Sequence, residues 1–221
     1  MPNTYFIGDV HGCCRTLKKL ITEKIRPVKE DLLCFIGDYI DRGPDSKGVI
    51  DYVMELQSEG FHVITLRGNH EQMLLDSLNG RRSQKLWLMN GGGETLRSFG
   101  VDSVDEIPAP YINFFGQTRM YVNGEKFVAV HAGLDFGVDD PFNDAESMLW
   151  IRDFPVDHSF LGGKVLIHGH TPRPLDFVLS QEMSSPVNID AGCVYQSMGG
   201  MGHLVALVFE GGEFLVVQYE G

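Results

Sequence analysis

Five short apolar runs punctuate the chain: residues 5–7, 32–36, 63–66, 127–130 and 165–167. Runs this short, rich in Val, Ile, Leu and Phe, read as strands buried on both faces. In the first half, stretches with apolar residues at helical spacing separate them. Residues 13–25 carry Leu17, Leu20, Ile21 and Ile25 before Pro27. Residues 46–59 carry Val49, Ile50, Val53, Met54 and Leu56, with Asp45-Ser46 as a cap and Gly60 as a stop. Residues 71–78 form a third helix ended by Asn79-Gly80. The order β-α-β-α-β-α predicts a parallel sheet with right-handed crossovers.

The second half has a different pattern. Residues 84–99 predict two short helices broken by Asn90-Gly91-Gly92-Gly93, and residues 101–119 a loop and a helix interrupted by Pro108 and Pro110. Asn123-Gly124 sits between apolar stretches and predicts a hairpin. Residues 139–163 read as an irregular excursion. Strands are predicted at 164–168, 176–180 and 186–190, then a closing hairpin of 204–209 and 213–219 around Gly211-Gly212. A helix-rich half and a strand-rich half together fit an α/β (α+β) fold of two packed sheets with helices outside. There are no repeats, linkers or low-complexity segments.

Composition narrows the class. At 221 residues the chain is expected to be one domain, 1–221, because the run ends from Asp9 to His170 must converge. Hydrophobic content of 43% and charged content of 22% suit a soluble globular protein. No apolar run reaches the ~18 residues of a membrane span, and the N-terminus enters a strand without a signal-peptide pattern. Cys13, Cys14, Cys34 and Cys193 form no C-x-x-C pair, which points to a reducing cytoplasm. A net charge of −12 argues against a general nucleic-acid surface, and bound divalent cations would offset part of it.

The residues after each run carry the chemistry. The runs lead into Gly8-Asp9-Val10-His11-Gly12, Gly37-Asp38-Tyr39-Ile40-Asp41-Arg42-Gly43, Gly68-Asn69-His70-Glu71, His131-Ala132-Gly133 and His168-Gly169-His170-Thr171. A strand that stops on Asp, Asn or His delivers that side chain to the sheet's carboxyl edge, where open α/β sheets bind ligands. Asp9 and His11, two apart in extended chain, face one way and can share a metal. Asp38 can bridge two metals, and Asn69, His131 and His170 complete an oxygen and nitrogen set without thiolate. That set suits Mn²⁺, Fe or Zn²⁺. Two such ions, about 3.5–4 Å apart, would hold a bridging hydroxide for in-line displacement at phosphorus. Arg42 and Arg152 offer two-pronged donors to phosphate oxygens. His70 could protonate the leaving oxygen, with Asp41 fixing its tautomer.

These motifs, in this order, resemble the phosphoprotein phosphatase family of metallophosphoesterases. The chain is similar to the compact bacterial and phage serine/threonine phosphatases and to the related symmetrical diadenosine tetraphosphatases. The motifs run from residue 8 to 171, and Asn188-Ile189-Asp190-Ala191-Gly192 resembles the strand after them. The resemblance implies a β-sandwich flanked by helices. It implies Asp9, His11 and Asp38 on a first metal, and Asp38, Asn69, His131 and His170 on a second. It places Arg42 and Arg152 on phosphate, with His70 and Asp41 as the acid pair. The segment Gln196-Ser197-Met198-Gly199-Gly200-Met201 departs from the family pattern.

The expected activity is hydrolysis of phosphoserine and phosphothreonine in proteins, with two divalent cations, manganese first. Asp41 and Glu71 lean that way, since the dinucleotide hydrolases usually carry Ala and Asp there. The alternative is symmetrical cleavage of Np4N dinucleotides. A non-catalytic phosphopeptide-binding module is the third reading, and no ligand type is lost to support it.

Other residues draw plainer expectations. In a straight strand His168 and His170 face one way; the resemblance selects His170 and leaves His168 packed. His62, His158 and His203 are expected on the surface or in loops. Trp87 and Trp150 are expected in the core, with Trp150 steadying the loop of Arg152. Arg67 is divided between phosphate and a structural pair with a carboxylate. Cys13 is expected to be packed and inert.

Overall fold

Two mixed sheets face each other. In this computed structural model, residues 2–184 and 186–220 are described. The first sheet takes β1 (Thr4–Ile7), β2 (Leu32–Phe35), β3 (His62–Thr65), β8 (His203–Val208) and β9 (Glu213–Gln218), in the order β3-β2-β1-β8-β9. β1, β2 and β3 pair in parallel, while β8 runs antiparallel to both β1 and β9. The second sheet takes β4 (Tyr121–Asn123), β5 (Phe127–Val130), β6 (Val165–His168) and β7 (Val187–Asn188), in chain order. β4 and β5 form the hairpin that Asn123-Gly124 predicts, closed by Gly124 N–H on the Phe127 carbonyl at 2.9 Å.

Strand alternation explains the layers. Phe6, Cys34 and Leu207 from the first sheet meet Ala129, Ile167 and Val187 from the second in one buried cluster. This is the sandwich core. Their neighbours Tyr5, Ile7, Leu33 and Phe35 point the other way, against Leu17 of α1 (Cys14–Lys19) and Val49, Ile50 and Val53 of α2 (Ser46–Ser58). Val128, Val130 and Leu166 turn outward onto Met148 of α7 (Ala145–Trp150) and Leu161 of α8 (His158–Leu161). Strands covered on both faces have no polar side, hence the near-continuous apolar runs in the sequence.

Several elements differ from the expectation. Residues 176–180 are not a strand but lie largely within α9 (Leu175–Leu179). Five residues are too few to separate the two periods, and Pro174 favours a helix start over a sheet position. The first predicted helix ends in a π-helical stretch, Leu20–Ile25, closed by Arg26 at φ 51°. The insert after α3 (Asn69–Ser77) carries two short helices, α4 (Arg81–Trp87) and α5 (Gly93–Phe99), on either side of a π turn (Leu88–Gly92), as the glycine run predicts. Gly91, at φ 106°, leaves helical conformation and kinks the chain between the two helices. The helix expected near 101–119 is α6 (Ala109–Gln117). No helix among the described residues is long and apolar enough to cross a membrane.

Candidate metal centre

The loops at the carboxyl ends of β1, β2, β3, β5 and β6 meet in one place. Five residues there hold left-handed backbone: His11, Asp38, Asp41, Arg42 and His170, with φ between 44° and 71°. Such conformations cost energy in non-glycine residues and persist only where the surroundings enforce them. Part of the enforcement is visible. Glu71, wholly buried at the start of α3, accepts the backbone N–H of Gly68, Asp38 and Tyr39, each at 2.9 Å, and of Ile40 at 3.4 Å. The β2 and β3 loops approach so closely that a Cβ on Gly68 would collide with the Asp38 carboxylate.

Asp38 is the centre of the assembly. Its Oδ2 lies 3.5 Å from His11 Nε2, and its Oδ1 lies 3.5 Å from His131 Nε2. The carboxylate thus faces two imidazoles, one with each oxygen. Ligand atoms fall into two clusters that share it, His11–Asp38–His70 and Asp38–His131–His170. Within each, the atoms lie within 4.8 Å of one another, and all the residues are buried.

The tautomers suit metal binding. His11 Nδ1 is 2.9 Å from the Ile40 carbonyl, and His131 Nδ1 is 3.0 Å from the Ile36 carbonyl. A carbonyl only accepts, so Nδ1 carries the proton in both rings and Nε2 turns a lone pair inward. His131 Nε2 then faces Asn69 Oδ1 at 3.0 Å and Asp38 Oδ1 at 3.5 Å. Three acceptors in contact with no proton between them repel, and a cation removes the repulsion. Among the described residues, His170 Nε2 and His70 Nε2 are buried without a partner. The residues therefore fit divalent cations.

Electrostatics agree. Burial lowers His11 and His131, and lowers His170 to about 3, so these rings are neutral donors. Asp9 is pushed well up, first by burial and then by Asp190 and Asp38. Asp9 joins neither cluster; its Oδ2 accepts the His170 backbone N–H at 3.1 Å.

The remaining expected residues border the same space. A cavity of about 140 Å³ is lined by Asp38, Asn69, His70, His170, Arg42 and Arg152, among others. Arg42 Nη1 donates to His11 Nε2 at 2.8 Å, and its guanidinium lies 5.6 Å from the Tyr195 ring. His70 Nδ1 is 2.7 Å from Asp41 Oδ2, with both side chains buried. Beyond Arg152 a second cavity of about 380 Å³ reaches Arg173, Phe154 and Phe177. His168 lines it and packs edge-on to Phe154 at 5.5 Å.

Some expectations need correction. Trp150 is 41% exposed and stands edge-on to His170 at 6.1 Å, so it lines the cavity and is not core. Among the described residues Arg67 pairs with no carboxylate; it donates to Thr118 Oγ1, Gln72 Oε1 and the Phe115, Gly116 and Thr118 carbonyls. His203 lies on β8 with Nδ1 buried, not in a loop. Trp87 is buried as expected, but sequence reasoning gave no part in the site to it or to Asp190, Tyr195 or Thr95. Asp190 had a signal, since it too follows an apolar run. The others had none.

Comparison with known proteins agrees with this architecture. Serine/threonine-protein phosphatase 1 of Salmonella typhimurium is 43% identical over 90 residues, 41% of this chain and 39% of that protein. A symmetrical bis(5'-nucleosyl)-tetraphosphatase of Photorhabdus laumondii is 44% identical over 73 residues, 33% of this chain and 26% of that protein. The chain thus matches less than half the length of either relative. The crystal structure of a cold-active protein-tyrosine phosphatase from a psychrophilic Shewanella superposes with a TM-score of 0.65 at 15% identity, over 99% of this chain and 81% of that one. The calcineurin-like phosphoesterase model matches residues 2–192, which include every loop that meets at Asp38. The chain belongs to the calcineurin-like phosphoesterase family.

Proposed function

We propose that the chain is a metal-dependent phosphomonoesterase that hydrolyses phosphoserine and phosphothreonine in proteins. The observation that carries this reading is the buried His70–Asp41 pair, 2.7 Å apart, beside a cavity of a size to take one phosphoryl group. Asp9, His11 and Asp38 would hold one divalent cation, and Asp38, Asn69, His131 and His170 a second, with manganese the first choice for this donor set. The cations supply a nucleophilic water and neutralise phosphoryl charge.

The protein's own groups do the rest. Arg42, beside the Tyr195 ring, and Arg152, on the same cavity, bind the phosphoryl oxygens. Asp41 holds the Nδ1–H of His70, which leaves Nε2 as the atom that protonates the departing serine or threonine oxygen. The four cysteines are buried and unpaired, which supports a cytoplasmic enzyme. Because the site draws on residues 9–190, we take the chain as one domain.

One observation favours a second reading, symmetrical cleavage of dinucleoside tetraphosphates. The 380 Å³ cavity adjoins the first at Arg152, and Phe154 and Phe177 line it as a nucleoside would require. Turnover of a phosphoserine peptide and of diadenosine tetraphosphate by the manganese-loaded enzyme separates the two. The phosphatase reading expects the peptide to be the faster substrate; faster dinucleotide cleavage defeats it.

A further inference from the structure

We infer that the helical insert contributes two positioning residues, Trp87 and Thr95, which clamp Asp41 so that one carboxylate oxygen faces His70. The inference rests on the acid role proposed for His70. Asp41 is fully buried at φ 71°, and no Lys or Arg pairs with it among the described residues. Among the described residues, every donor to its carboxylate other than His70 comes from the insert. Trp87 Nε1 lies 2.9 Å from Oδ2 and 3.1 Å from Oδ1, and Thr95 Oγ1 donates to Oδ1 at 2.6 Å. Thr95 Oγ1 also accepts the Asp41 backbone N–H at 3.0 Å. Oxygen and backbone are therefore gripped together, in a backbone state that needs enforcement.

A buried indole N–H requires an acceptor, and any carbonyl would serve for packing alone. This one is shared between the two oxygens of the carboxylate that meets His70. The seat is specific too. A Cβ on Gly92 would strike the indole ring, so glycine there admits Trp87. Gly91, one residue earlier, accepts the backbone N–H of Arg42 at 3.3 Å, so the same turn holds the neighbouring phosphate-binding residue. With Thr95 on Oδ1 and the indole straddling both oxygens, the carboxylate cannot rotate away from His70 Nδ1.

The test uses the manganese-loaded full chain and two aryl phosphates. Dinitrophenyl phosphate has a leaving group that needs no proton, whereas phenyl phosphate needs one. Trp87→Phe keeps ring and bulk, and Thr95→Val keeps shape. Each should lower kcat on phenyl phosphate roughly 10-fold or more with KM unchanged, and keep dinitrophenyl phosphate turnover within about twofold, because only protonation is impaired. Bound manganese and the circular dichroism spectrum should match wild type. Equal loss on both substrates, or loss on neither, overturns the inference. His70→Asn is the reference. If it shows the selective loss and both insert variants do not, positioning by the insert is wrong; if it shows none, the acid reading falls and the inference with it.

Discussion

Glu71 Oε2 accepts the backbone N–H of Asp38 at 2.9 Å, and its other oxygen accepts that of Tyr39 at the same distance. A residue with no contact to substrate thus sets the loop that aims the central carboxylate. Glu71→Ala leaves four buried N–H groups without an acceptor. We expect a loss of roughly 3–5 kcal/mol in urea unfolding and weaker manganese binding, while Glu71→Gln loses less because it keeps one oxygen. An alanine variant as stable as wild type would mean the loop holds itself.

Arg67 belongs to the scaffold. Its guanidinium joins the end of α6 to the loop after β3 through the Thr118 hydroxyl, Gln72 and three carbonyls. Arg67→Met should lower stability by about 1–3 kcal/mol and leave KM for p-nitrophenyl phosphate unchanged. Steady-state kinetics beside thermal melting decides: a clear rise in KM would return Arg67 to the phosphate.

Cys34, buried in β2 within the sandwich core, gives a pH dependence. Burial pushes its thiol up to about 12 from an ordinary value of 9.0. Below pH 9 the thiol is protonated in both folded and unfolded chains, and the stability is fully present. As pH rises from 9 towards 12 only the unfolded chain loses the proton, so stability falls, by on the order of 1 kcal/mol from this group at pH 10. Urea midpoints between pH 8 and pH 10 should fall more steeply for wild type than for Cys34→Ala. Parallel slopes would show that the thiol ionises in place.

The chemistry was legible because apolar runs and their polar endings are local features. Asp38, Asn69, His131 and His170 each follow a run that had to be a buried strand, and parallel strands bring such ends to one edge. The first three strands, the helices between them and both hairpins follow from period and turn residues alone. Short segments were not legible. Residues 176–180 offer too few positions to fix a period, and α9 is decided by Pro174 before it. The break at the glycine run 91–93 was legible, since Gly91 sits at φ 106°, but the Trp87 indole lying against Gly92 is a tertiary contact and was not. Which acceptor an indole finds, or that Trp150 stands exposed beside His170, depends on elements far apart in the chain.

The central claim is that Asp38 is shared by two cation sites. The direct measurement is manganese bound per chain, by calorimetric titration and elemental analysis, for wild type and Asp38→Ala, with turnover recorded on the same samples. We expect two equivalents in active wild type, and at most one in the variant with nearly all turnover gone. Full activity with fewer than two equivalents, or an Asp38→Ala chain that keeps both ions and its activity, would contradict it.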